Sequence, residues 1–314
     1  MLKRLELQAL RADLAAVNSL LAERTQESDP IGFFQLSRRR DTLTAKMDKV
    51  AAVDSHRAAV GLFFAGGPVI GSLGIDATFA AKTVTLFQEM VTKQFALEEV
   101  GDMGRRGPVA MQANSDLIVT NVVRGSVGLL LEEAAQTDAF ADTQLKVVVD
   151  RVVETVSAAA APEGDAFEQA LERMDPRFLS SLGQFFEVLD EKKALVRVVE
   201  EDREVELSRD AVRRGKERAG AATIEDSDPI DMTGRIFILP AARRFELWLI
   251  DGDAPLVGAV AREFARRDLE TLLAAGNAVG ERWKVRVKTR TVRRPARAPK
   301  VSHTLVGMVE RIDN

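Results

Sequence analysis

From Arg282 to Arg290 every second residue is cationic: Arg282, Lys284, Arg286, Lys288 and Arg290, with Trp283, Val285 and Val287 among the residues between them. Side chains alternate between the two faces of a β-strand, so this spacing predicts one charged face and one core face on a single strand. Arg293, Arg294, Arg297 and Lys300 follow around Pro295 and Pro299, where a loop is expected. Arg243 and Arg244 occupy a second expected loop, between strands over 232–239 and 245–250. The chemistry these residues offer is neutralisation of phosphates, and Trp248 adds an indole on which a base can stack if Phe245, Leu247 and Leu249 point inward. Plainer uses compete with that one. A row of Lys and Arg also keeps an exposed strand edge from pairing with other chains, Trp248 can pack against the protein itself, and Glu246 shares its face with the wrong sign for a phosphate track.

Catalytic side chains are scarce. There is no cysteine, which removes thiol nucleophiles, disulfides and thiolate metal sites together. The two histidines, His56 and His303, lie far apart and have no partner at metal-ligand helical spacing; His56 is expected on the surface of a helix and His303 on a strand. Glu98, Glu99 and Asp102, and Glu200, Glu201 and Asp202, are acidic enough for Mg²⁺, but each set is contiguous, whereas metal-dependent hydrolysis needs carboxylates converging from separate elements. The glycine-rich stretch 66–74 lies between a strand and a helix, where phosphates are often held, yet it lacks the Gly-Lys-Ser/Thr ending of a P-loop and the dinucleotide glycine spacing. No cofactor is expected.

The elements that must position these residues follow from hydrophobic period. Leu7, Leu10, Leu14, Val17 and Leu21 alternate three- and four-residue steps and so form one seam of a helix. A second helix is expected over about 33–60, with Leu36, Leu43, Met47 and Val50 on its seam, after a break at Asp29-Pro30. The pair predicts a helical hairpin, roughly 35 to 40 Å long at about 1.5 Å per residue. Its seam has three possible uses: closing on itself, docking on the next domain, or meeting a second copy.

From 60 to 222 the order is a buried strand at 62–64, a helix over 76–96, apolar strands at 117–123 and 127–131, helices over 140–159, 167–174 and 178–189, a hairpin at 195–199 and 204–207, and a charged helix over 209–219. That order predicts an α+β domain on about five strands. After a linker at 220–228, five strands are expected at 232–239, 245–250, 256–260, 282–291 and 301–312, with a helix over 261–275 between the third and fourth. This is the order of an OB-like barrel.

The expected fold is therefore α+β and multidomain: a coiled-coil-like helical hairpin over 1–59, a central α+β domain over 60–222 and a small five-stranded OB-like β-barrel over 228–314. Charge is uneven across it. Residues 226–314 hold 16 Lys and Arg against 12 Asp and Glu, so this segment is +4 and the remainder −8 within a total of −4. With no apolar run near the 18 to 20 residues or so needed to span a bilayer, and Lys3, Arg4 and Glu6 mixed into the first leucines, a cytoplasmic protein without a membrane role is expected.

Three functions fit, in order. The first is a non-catalytic modular adaptor or scaffold that binds a protein partner or itself through the Leu7–Leu21 seam. The second is a single-stranded nucleic-acid-binding protein using Arg243, Arg244, Trp248, Lys284, Arg286, Lys288, Arg293, Arg294, Arg297 and Lys300. The third is a metal-dependent hydrolase in the central domain.

Overall fold

The computed structural model describes residues 2–52, 56–71, 73–101, 107, 109, 112–123, 127–134, 141–201, 203–239, 241–250, 252, 254–261, 279–294 and 297–312. The chain divides into two compact units, one of Met1–Phe167 with Arg177–Ala219 and the other of Glu168–Pro176 with Gly220–Asn314.

In the first unit α1 (Lys3–Ala22) and α2 (Pro30–Ala52) pack along each other as a hairpin. Pro30 opens α2, where its missing N–H costs nothing, and the Asp29 carboxylate accepts the Gly32 N–H at 2.9 Å as the cap. The second helix was expected to run on to residue 60. Its last described residue is Ala52, and β1 (Ala59–Gly66) begins at the end of that expected span because Ala59 and Val60 are claimed by pairing with Glu132 and Leu131.

After β1 come the two-residue strands β2 (Val69–Ile70) and β3 (Gly74–Ile75), then α3 (Ala77–Val100), β4 (Leu117–Val123), β5 (Val127–Glu133), α4 (Gln144–Ala160), α5 (Asp165–Leu171), α6 (Pro176–Glu191), β6 (Ala194–Glu200), β7 (Arg203–Leu207) and α7 (Arg209–Ala221). The five long strands form one antiparallel sheet in the order β4-β5-β1-β6-β7, matching the expected strand number. Alternation along β1 separates its two faces. Phe64 meets Phe79 of α3 edge-on, with ring centroids 5.4 Å apart, whereas Phe63 clusters with Leu130, Val199 and Leu2. Helix α6 carries Phe178, Leu182, Phe185, Phe186 and Leu189 buried, a four-and-three spacing that makes one apolar stripe. The start of α1 covers the opposite face of the sheet: Leu2 is buried there, Leu5 packs beside it, and Arg4 pairs with Glu204 at 2.7 Å.

The second unit contains β8 (Thr223–Asp226), β9 (Ile230–Leu239), β10 (Arg244–Leu249), β11 (Leu256–Val260), β12 (Val279–Arg294) and β13 (Arg297–Arg311). Five of these close into a barrel in the order β9-β10-β11-β13-β12 and back to β9; only β11 and β13 run parallel. The helix expected over 261–275 falls almost entirely outside the described residues. The barrel core is wholly apolar: Ile236, Ile238, Phe245, Leu247, Val260, Val285, Val287 and Leu305. Gly258 permits the parallel pairing, since a Cβ there would lie 2.1 Å from the His303 carbonyl oxygen.

Two expectations about this unit change. The stretch 220–228, expected as a linker, contains β8, which pairs with the far half of β12 from Arg290 to Arg293. The stretch 293–300, expected as a loop, is mostly ladder: β12 and β13 pair as far as Arg294 opposite Arg297. Strand β12 is therefore long enough to pair with β9 along its first half and β8 along its second, which local composition could not show.

Candidate functional site

The cations of β12 project from the barrel, as the alternation predicts, and nearly all meet a carboxylate of their own unit. Arg286 binds Asp231 at 2.9 Å, directly opposite on β9. Lys284 lies 3.9 Å from Asp231 and 3.7 Å from Glu310. Lys288 and Arg290 share Asp226 of β8, and Arg290 also donates to the Met174 carbonyl. Arg293 pairs with Glu225 at 3.3 Å. Arg294 and Arg297 converge on Glu168, at 3.9 and 2.9 Å, and Lys300 binds Glu172 at 2.6 Å. The Lys300 ammonium holds the Glu172 carboxyl below the usual carboxylate range. Arg243, in a left-handed backbone conformation, donates to the Ala261 carbonyl and so ties the turn before β10 to the end of β11.

Of the ten basic and aromatic residues that the sequence marks for nucleic acid, Arg244 and Trp248 alone carry no such contact among the described residues. Trp248 is 43% exposed on the outside of β10. Directly opposite it on β9 stands Arg235, and directly opposite Arg235 on β12 stands Arg282. The inward neighbours Leu247 and Ile236 are fully buried, which fixes the outward direction of this row. Neither Arg235 nor Arg282 has a carboxylate among the described residues. Sequence reasoning missed Arg235 because it is a lone cation in β9, and only the strand register sets it between Trp248 and Arg282. Glu246 lies one row away, half-buried and opposite Phe237.

The hairpin seam has a different fate. Val17 is buried, as is Leu43 on α2, while Leu7, Leu10, Leu14 and Leu21 are half-buried where α1 packs along α2. Apolar side chains remain outside that seam. Ile31 and Phe34 are 73% and 67% exposed at the start of α2, and Leu20 is exposed just across the turn on α1. Ala9, Ala12 and Ala16 continue from Leu20 along an exposed side of α1 at three- and four-residue steps.

In the first unit three of the carboxylates that the sequence offers for Mg²⁺ are engaged by other partners. Glu98 pairs with Arg151 at 2.6 Å, Glu99 with Gln144, and Glu201 with Lys146 at 2.7 Å; Asp102 and Asp202 lie outside the described residues. Lys146 is buried and also reaches Asp142 at 3.0 Å, and these two carboxylates raise its pKa against the opposing effect of burial. His56 lies beyond the described end of α2 rather than on a helix, with Nδ1 2.8 Å from Asp142. Glu200 at the end of β6 is 5% exposed. Burial, a hydrogen bond to Asp150 and the charges of Asp150 and Glu201 push its pKa up to about 8, against the lowering effect of Arg203. No group of three His, Asp or Glu side chains converges on a metal-sized site among the described residues.

A cavity of about 550 Å³ lies between α3 and strands β4 and β5, with Lys93, Glu89, Gln88 and Arg177 on its polar side. These groups are already engaged. Lys93 and Ser181 both donate to Glu89, at 2.8 and 2.7 Å, and Gln88 brackets the start of β4 through the Ser115 carbonyl and the Leu117 N–H. The start of the glycine-rich stretch is likewise accounted for by contacts, whereas Gly71 and Gly74 would leave a Cβ in open space. Gly67 lies against the Lys192 carbonyl, and the N-terminus of α3 is capped by Asp76, which accepts the Phe79 N–H at 2.8 Å. No described helix is long and apolar enough to cross a membrane. Set against family models, curated proteins and solved structures, the chain matches none of them.

Proposed function

We propose that the chain is a non-catalytic modular adaptor whose helical hairpin joins it to a second copy of itself. The observation that carries this reading is the apolar surface left on the hairpin, Leu20, Ile31 and Phe34 about the turn with Ala9, Ala12 and Ala16 behind them, while one side chain in each helix is buried. Two helices with so little burial are marginal by themselves, because helix stability in proteins comes from covering an apolar face. Isologous pairing of two such hairpins makes a four-helix arrangement in which the alanine stripe allows close approach and the turn residues are covered. The seam named from the sequence would then hold each hairpin together, and the neighbouring stripe would join the copies.

The central sheet and the barrel are the modules such an arm would bring together. An OB-like identity for the barrel is part of this proposal; its support is the order first-second-third-fifth-fourth strand with a parallel third and fifth pair.

Sedimentation of the full chain against an Ile31→Glu/Phe34→Glu variant tests the arm. A dimer that becomes a monomer with an unchanged helix signal is expected; a full-length chain that is already monomeric at tens of micromolar, roughly the range of weak homodimers, removes the proposal. Substitution is preferable to deleting the hairpin, since deletion would also uncover Phe63, Leu130 and Val199 beneath Leu2.

A further inference from the structure

The cationic strand β12 is balanced almost everywhere except at one place. Lys284, Arg286, Lys288, Arg290, Arg293 and Arg294 each have a carboxylate within 4 Å, on β8, β9, β13 or α5. Arg282 has none among the described residues, and its cross-strand neighbour is Arg235, a second cation without one. Like charges directly opposite one another weaken a sheet, and elsewhere on β12 the protein answers that cost with an acid. Here it answers with an exposed indole instead: Trp248 stands opposite Arg235 on the other side.

We propose that Trp248, Arg235 and Arg282, side by side on β10, β9 and β12, seat an unstacked nucleotide of a single-stranded nucleic acid, its base on the indole and its phosphates on the two guanidiniums. Adjacent strands are about 4.8 Å apart, so the three side chains span about 10 Å across the barrel. An aromatic face accepts any base once it has left its stack, and a double helix does not present one, so this chemistry selects single strands. A guanidinium beside a phosphodiester gains a charge-assisted contact that relieves the Arg235–Arg282 repulsion.

Phe237, half-buried one row over, and exposed Arg244 at the start of β10 extend the surface on one side. Glu246 sits between Arg244 and Trp248 on β10, opposite Phe237, and repels a backbone running along that strand. The strand of nucleic acid is therefore directed across β10, β9 and β12, and the self-paired stretch from Lys288 to Lys300 takes no part. This site is independent of the hairpin, and neither proposal stands or falls with the other.

The test is fluorescence anisotropy of labelled oligodeoxythymidine and oligouridine of about 12 nucleotides, within the range one small barrel covers, at 50 and 200 mM salt, with a matched duplex as competitor. With two phosphates neutralised by Arg235 and Arg282, a log–log salt slope of about −1.4 is expected, a loss of roughly 7-fold over that range. Trp248→Ala should weaken binding by about 5- to 100-fold, and Trp248→Phe should restore most of it. Arg235→Ala/Arg282→Ala should weaken binding and flatten the slope, and Glu246→Gln should tighten it. Trp248 and Arg235 are exposed and Arg282 and Glu246 half-buried, all outside the barrel core, so these substitutions leave the core intact, which the thermal transition of each variant verifies. Absence of binding at 50 mM salt overturns the proposal. So does binding that Trp248→Ala and the double arginine variant leave unchanged, or a duplex that competes as well as the single strand.

Discussion

The open five-stranded sheet and the closed barrel treat charge in different ways. In the open sheet β4-β5-β1-β6-β7 and its helices, ionisable groups are taken inside: Glu200 is buried against Asp150, whose Oδ1 is buried without a partner, and Lys146 is buried between Asp142 and Glu201. In the closed barrel the core cluster is apolar, and the charges of the described strands lie around it, most of them in pairs across neighbouring strands. Burying a carboxyl is costly unless it keeps its proton, so the first unit should respond to pH. Exterior pairs are screened by salt, so the second should respond to ionic strength.

Both tryptophans, Trp248 and Trp283, belong to the barrel, whereas the long helices belong to the first unit. Tryptophan emission and helical circular dichroism therefore report the two regions separately. The largest expected effects come from the cores. Phe245→Ala should cost the barrel about 3 to 5 kcal/mol and shift the urea transition seen by emission, and Phe185→Ala should do the same to the transition seen by dichroism. If either substitution moves both transitions equally, the two regions unfold as one and the comparison fails in that respect.

The pH response comes next. Folded Glu200 holds its proton to about pH 8, whereas in the unfolded chain it loses it near the ordinary value of 4.5. The folded state binds the extra proton between those values, so this contribution is complete below about pH 4.5, falls as pH rises through the window, and is gone above about pH 8. Its size is a few kcal/mol at most, by the roughly 1.4 kcal/mol that each pKa unit represents. Melts followed by dichroism at pH 5 and pH 8.5 should show that loss in the parent protein and much less of it in Glu200→Gln. An identical pH slope in the two proteins would show that Glu200 is not the group responsible.

The smallest expected effects are on the outside of the barrel. Asp226→Asn leaves Lys288 and Arg290 without their shared carboxylate and should cost about 1 kcal/mol in low salt, because these side chains are mostly covered. Arg293→Ala breaks a half-exposed pair with Glu225 and should change stability by no more than about 0.5 kcal/mol. Emission-monitored urea titrations at 50 and 500 mM salt separate the two, and a loss for Asp226→Asn that high salt does not reduce would mean its role is not electrostatic.

Much of the fold was legible because its signals are local. Leu7, Leu10, Leu14, Val17 and Leu21 announced a helix through spacing alone, and the alternation about Val285 and Val287 announced a strand with one dry face. Strand β8 was not legible: in four residues it buries Ile224 alone, and its place comes from the backbone of β12 sixty-odd residues later. The neutralising partners were equally hidden. Asp226, Asp231, Glu168 and Glu172 are unremarkable acids in the sequence, and nothing near Lys288, Arg286, Arg297 or Lys300 in the chain announces them.

The sequence by itself determined which residues of each strand face water and which face the core, because that alternation is a property of the extended backbone within a few residues. Only the tertiary structure decided which exposed cations keep a free charge. Register and closure bring strands from distant parts of the chain side by side, so most of a row of evenly spaced Lys and Arg came to face carboxylates, while Arg282 came to lie opposite Arg235 in the row of Trp248.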